Sequence, residues 1–225
     1  MTDRPHLAPR QNQSRLPVLL LPALLLSSIV LAGVPPTGPG RPTRPMLGVH
    51  TLHADDLALR LASEAGCEVM VELFSWRLNE PTQGQLRWAR TDQLVTAAEF
   101  CGLSLVARLD QHPAWVSSAP LTLNAPPEDL SLYGEFVRQV ASRYRGRIAA
   151  YVIWNEPNLS AEWAGLTPDP AAHVELLRVA YQAVKASDPQ ALVVATGLAP
   201  TKGDGHAAMD ERAFLRKMYR AGAAP

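Results

Sequence analysis

The chain has 225 residues, 47% of them hydrophobic and 19% charged, with 21 basic side chains against 21 acidic ones. This is a globular balance with no net charge, and the arginines are scattered, so no basic field is available to hold a phosphate backbone and nucleic acid is not an expected partner. Cys67 and Cys101 are too few for a disulfide framework; they read as two small buried side chains, with a disulfide as the alternative.

In chain order, residues 1–15 form a leader carrying Arg4, Arg10 and Arg15. Residues 16–34, "LPVLLLPALLLSSIVLAGV", carry no charge. This length suits a membrane anchor, although Pro17 and Pro22 weaken the helix; a cleaved export signal is the alternative. The basic leader predicts a cytoplasmic N-terminus, so the rest of the chain is expected beyond the membrane, anchored or secreted. Residues 35–45, "PPTGPGRPTRP", lack apolar side chains to bury and read as an extended linker. The folded domain is expected over residues 46–225.

From Met46 onward short apolar runs alternate with amphipathic segments, the pattern of βα units around a parallel sheet. The expected strands are "MLGVH", "CEVMVELF", "LSLVARLD", "AAYVIW" and "ALVVAT". Thr91 or Asp92 is placed to cap a helix carrying Leu94, Val95 and Ala98 and ending at Gly102. Tyr133, Phe136, Val137, Val140, Ala141 and Tyr144 recur at helical spacing before Gly146, and Val174, Leu177, Tyr181 and Val184 do so after Asp169-Pro170. The result is an α/β fold of about five βα units, the first part of a (β/α)8-type barrel.

Asn-Glu-Pro occurs twice, ending in Pro81 and in Pro157. Barrel chemistry gathers where strands end at their C-terminal edge. Glu156 follows "AAYVIW" directly, with Pro157 expected to keep it extended, whereas Glu80 lies several residues beyond its strand and reads as structural. Strict strand alternation would point Asn155 and Glu156 to opposite faces, so the strand must end or bulge there.

"YVIWNEPNL" resembles the strand-four motif of clan A retaining glycosidases, (β/α)8 enzymes that include β-xylosidases and α-L-iduronidases. "LFSWRLNEPTQGQLRW" is similar to the clan's strand-two loop and "RLDQHPAW" to its strand-three end, so the resemblance runs from Met46 to Gly222. One departure is "VMVELF", where many relatives carry an arginine late in strand two. The resemblance implies a glycoside hydrolase in which Glu156 is general acid and base and Asn155 bonds the sugar hydroxyl beside the scissile bond. The partner it implies is a carbohydrate. No cofactor is expected, and His50 and His53 lack the further motif that would complete a metal site.

Sugar rings stack on aromatic side chains. Trp163, just after the motif, is the expected stacking residue; Trp115 and Trp154 are substrate candidates at strand ends, and His112 either touches substrate or shapes the "QHPAW" turn. Trp76 and Trp154 read equally well as packing at the barrel mouth, and Trp88 reads as core. Retaining glycosidases hold two carboxyl groups about 5–5.5 Å apart, and the resemblance puts the nucleophilic glutamate at the end of strand seven. The late acids Asp204, Asp210 and Glu211 fall in the strand-five loop and the start of its helix, so no nucleophile is expected in this chain. The chain is accordingly expected to be an inactive N-terminal part of a glycosidase, the alternative being a surface-anchored carbohydrate-binding or scaffold remnant.

Overall fold

The computed structural model describes residues 46–223. The leader, the anchor or signal, and the linker expected over residues 1–45 lie outside the described residues. Among the described residues, no helix is long and apolar enough to cross a membrane.

Five strands, β1 (Gly48–Thr51), β2 (Val69–Ser75), β3 (Ser104–Asp110), β4 (Ala150–Ile153) and β5 (Leu192–Ala195), pair in chain order as one parallel sheet. The intervening helices are α1 (Asp56–Glu64), a short α2 (Trp76–Asn79), α3 (Ala89–Phe100), α4 (Leu130–Arg143), α5 (Pro170–Ser187) and α6 (Glu211–Arg220). Asp55, Asp129, Asp169 and Asp210 cap α1, α4, α5 and α6 by accepting first-turn amide hydrogens, and Pro170 opens α5. Gly102 follows α3 with a φ of 70° and Gly146 follows α4 with a φ of 73°, a conformation that favours glycine.

The start of α3 departs from expectation. The helix begins at Ala89 with Trp88 as its N-cap and no side-chain cap, so Thr91 and Asp92 lie inside its first turns. Thr91 and Asp92 are instead taken up by α4: the Tyr144 hydroxyl lies 2.7 Å from Thr91 Oγ1 and 2.9 Å from Asp92 Oδ1, and Arg143 forms a two-pronged pair with Asp92. The Arg143 guanidinium also lies 5.4 Å from the Trp88 ring centre. These contacts hold Trp88 at the core's edge and let the helix start one turn earlier. Both cysteines are free and half-buried.

The sheet has two unlike faces. Met70, Phe74, Leu105, Ala107, Leu109, Tyr151 and Ile153 point into the helical layer and are at most 3% exposed. Alternating with them, Val69, Val71, Val106 and Val152 are half-buried, and Leu192 and Val194 are 64% and 40% exposed. Parallel sheets are ordinarily covered on both faces; among the described residues, helices cover only the outer one. α4 and α5 approach closely at Gly134, where a Cβ would come within 2.6 Å of Val179 Cγ1.

Outside the main core, Val174, Met209, Phe214 and Met218 join α5 to α6. His173 is fully buried beside them, with the Trp163 and Phe214 rings at 6.0 and 6.1 Å and no hydrogen-bond partner for either ring nitrogen. Burial lowers its pKa from 6.5 to about 4. The folded state therefore binds this proton less readily than the unfolded chain, so stability is full above pH 6.5 and falls as the pH drops toward 4. His173→Leu should remove that dependence: the variant-minus-wild-type difference in unfolding free energy should shift in the variant's favour by on the order of 3 kcal/mol between these limits. Denaturant titrations across the range check this, and an unchanged difference contradicts it.

Candidate active site

All five strands end at one edge of the sheet, and the second Asn-Glu-Pro lies on it. β4 stops at Ile153, one residue short of the expected end. Trp154 and Glu156 then both adopt positive φ, 72° and 34°. A non-glycine residue in this region is uncommon and costs about 1–3 kcal/mol when over-determined by its surroundings. The expectation that Pro157 keeps Glu156 extended is thus corrected. Tertiary contacts override the local preference: Leu159 N–H closes a turn onto the Glu156 carbonyl at 2.9 Å. Asn158, fully buried, donates to the Ala199 and Met209 carbonyls and accepts from Ala199 N–H, pinning the turn to the loop after β5.

The left-handed step at Trp154 turns its indole into the helical layer. There it is fully buried, its Nε1–H donates to the Glu162 carbonyl at 2.9 Å, and Tyr133 and Trp163 meet it edge-on. Asn155 and Glu156 remain half-buried. The Asn155 amide is held on both sides: Oδ1 accepts from Arg108 Nη1 at 3.2 Å, and Nδ2 donates to Glu162 Oε1 at 3.0 Å. The second Glu162 oxygen accepts from Asn124 at 3.1 Å, so Glu162 ties the loop after β3 to the loop after β4. The Glu156 carboxylate accepts no hydrogen bond from any described residue.

Arg108 and Asp110 share the inner face of β3 and form an ion pair at 2.9 Å. Burial pushes the Asp110 carboxyl up to about 6, the charge of Glu162 adds to the rise, and Arg108 and Arg77 oppose it. His50, from β1, accepts from Arg108 at 3.2 Å. Its pKa is lowered, first by burial and then by the Arg108 charge.

The other expected site residues sit deeper. His112 is fully buried, with Nδ1 accepting from Ala125 N–H and Nε2 facing the Ala119 carbonyl. Burial holds its pKa below the usual imidazole value. With both nitrogens engaged it shapes its own loop and presents nothing to a ligand. Trp163, the expected stacking residue, is only 5% exposed, packed edge-on between Trp154 and His173; no open ring face remains on it or on Trp154. Trp115 is half-buried, its Nε1–H on the Glu80 carbonyl at 2.9 Å. Glu80 itself accepts from Trp76 Nε1 and Gly84 N, both at 2.8 Å, which closes its loop.

Glu162, Asn124, Asn158, Arg108 and Asp110 escape the sequence reading. Arg108 and Asp110 left one trace, two charges at alternate positions of an otherwise apolar strand; the others have no local signal. Glu72, the charge inside "VMVELF", is fully buried and accepts from Thr51 Oγ1 and from the His53 and Ala54 amides, fixing the loop after β1.

No family model matches the chain. Among solved structures it is similar to a family 39 glycoside hydrolase from Bacteroides cellulosilyticus, at 20% identity and a TM-score of 0.60 over 79% of this chain and 35% of that one. A glucosidase from Croceicoccus marinus matches at 17% identity and a TM-score of 0.56 over 79% of this chain and 41% of that one. A GH5_18 protein from Streptomyces cattleya, solved in complex with Manβ1-4GlcNAc, matches at 20% identity and a TM-score of 0.53 over 68% and 44%. The fold is the one these glycoside hydrolases use. The chain spans 35–44% of the length of these structures.

Two variants probe the site. Glu162→Gln removes the like charge near Asp110, so the Asp110 carboxyl, titrating at about 6 in the wild type, should titrate lower; carboxyl carbon NMR reads the midpoint, and a rise or no change goes against the arrangement. Asn158→Ala leaves buried backbone groups at Ala199 and Met209 unpaired and should cost about 2–4 kcal/mol, read from unfolding midpoints.

Proposed function

We propose that this chain carries the acid/base half of a retaining glycoside hydrolase site, with Glu156 as general acid and base and Asn155 as the group that hydrogen-bonds the sugar hydroxyl beside the scissile bond. One observation carries the reading. Glu156 offers a half-buried carboxylate that accepts from no donor among the described residues, at the strand ends, beside an asparagine whose amide is held on both sides. A glycosidic oxygen leaves poorly unless it is protonated as the bond breaks, and the same carboxylate then takes a proton from the attacking water. Trp115 is the one expected aromatic with remaining exposed surface to line the sugar.

The second carboxylate must stand about 5–5.5 Å from the first. Asp110 is paired with Arg108, and Glu162 is held by Asn124 and Asn155. Neither is free to attack an anomeric carbon. In this reading the nucleophile belongs to further βα units that pair with β1 and β5, whose outer edges have no strand partner among the described residues, and that cover the apolar inner face. The domain would work outside the cytoplasm, a reading that rests on the sequence of residues 16–34; cell fractionation tests it, and a cytosolic full-length chain opposes it.

The 225-residue chain alone should not turn over aryl glycosides. In a protein that completes the barrel, Glu156→Gln should lower kcat/KM by about 100- to 10,000-fold for glycosides with poor leaving groups. The loss at the glycosylation step should be much smaller for good leaving groups, and azide should restore the second step by attacking without a base. Glu80→Gln should leave the chemistry nearly unchanged. Steady turnover by the short chain, or a Glu80→Gln loss equal to that of Glu156→Gln, would place the chemistry elsewhere; saturable sugar binding without turnover in the completed protein would select a binding role.

A further inference from the structure

The first turn of α3 adjoins a cavity that the proposed reaction does not use. It has a volume of about 300 Å³, and its polar lining comes from Ser75, Asn79, Arg87, Arg90 and Thr91, with Ala89 beside them. No carboxylate lines it. α3 runs for 12 residues and no side chain caps its start. The leading amides of a helix lack intrahelical acceptors and carry the positive end of its dipole. Residues 89–91 therefore present free amide hydrogens at this end of the helix.

A second, independent feature marks the cavity as a ligand site. Ser75, the last residue of β2, is only 2% exposed and lines the cavity, yet its hydroxyl has no hydrogen-bond partner. Buried hydroxyl groups are ordinarily satisfied, so an orphan calls for an explanation. The arginines add charge. Arg87 is exposed and has no acidic partner among the described residues. Arg90 donates from Nη1 to His53 Nδ1 at 2.6 Å, which leaves its other guanidinium hydrogens available. A second depression that also has Arg90 in its wall is lined by Asp55 and Asp56 and suits no anion.

We propose that this cavity binds one oxyanion group, a carboxylate, sulfate or phosphate, through the 89–91 amides, the Arg87 and Arg90 guanidinium groups and the Ser75 hydroxyl as donor. Helix N-termini combined with arginine forks suit such groups because both supply several aligned donors and no competing acceptor. Since Ser75 ends β2 and Glu156 follows β4, the cavity lies at the same edge of the sheet as Glu156. The group could be the acidic substituent of a sugar or a free inorganic anion. The site does not depend on the glycosidase reading.

The test titrates the 225-residue chain with sodium sulfate, sodium phosphate and sodium glucuronate at constant ionic strength, with acetate as a simple carboxylate. Amide NMR and calorimetry follow binding. Saturable shifts should centre on the 89–91 amides and Ser75, and affinity should fall at least about tenfold in the Arg87→Gln/Arg90→Gln double variant. Ser75→Ala should weaken binding less. Glucuronate binding well above acetate supports the site and names a sugar as the source; sulfate or phosphate binding with no such preference supports it and names a free anion. Absence of saturable shifts with all four anions, or equal affinity in the double variant, overturns the proposal. The exposed Arg87→Gln single variant, together with its amide spectrum, separates lost binding from lost folding.

Discussion

The carboxyl-end rim of this five-stranded sheet depends on the left-handed backbone at Trp154. A continued strand would have alternated Trp154, Asn155 and Glu156 between the faces and put a bulky indole on the inner side. The positive φ ends the strand instead and sends the indole among Tyr133, Trp163 and the Glu162 carbonyl. Burying an indole with its N–H satisfied is worth about 4–6 kcal/mol in apolar area alone, more than the local strain of about 1–3 kcal/mol. Asn155 and Glu156 can then share one edge because the residue before them does not follow the pleat.

Around that turn the carboxylates divide their tasks by what donates to them. Glu72 and Glu80 are saturated by nearby amide, hydroxyl and indole donors and act as loop clasps. Glu162 bridges two asparagines, and Asp110 faces an arginine in a buried setting that raises its pKa to about 6. Glu156 alone among them keeps a carboxylate without a donor among the described residues. Chemistry needs a group that can change its proton and its partner during a reaction, and a clasped carboxylate can do neither without opening its loop.

The same logic separates the faces of the sheet. On the outer face Trp76 packs with Tyr133 and Phe136, Phe74 meets Tyr144 edge-on, and the helices seal these rings. On the inner face the open positions are valines and leucines, with Arg108, Asp110 and His50 gathered toward the carboxyl end. The inner face is thus an apolar floor with its polar groups gathered at one rim.

Periodicity alone determined the five parallel strands and the principal helices, because burial against a sheet imposes spacing that short-range pattern records. The start of α3 was misplaced because the residues expected to cap it are claimed by Arg143 and Tyr144 from another helix. Trp154, Trp163 and His112 looked like ligand contacts, since an aromatic beside a motif reads the same whether its ring is open or covered. Only the fold decided that, by the φ of Trp154 and by what packs on each ring. Asn124, Asn158 and Glu162 were invisible for a related reason: each bonds to loops brought near by the sheet, and a hydrogen bond between distant loops leaves no period in the chain.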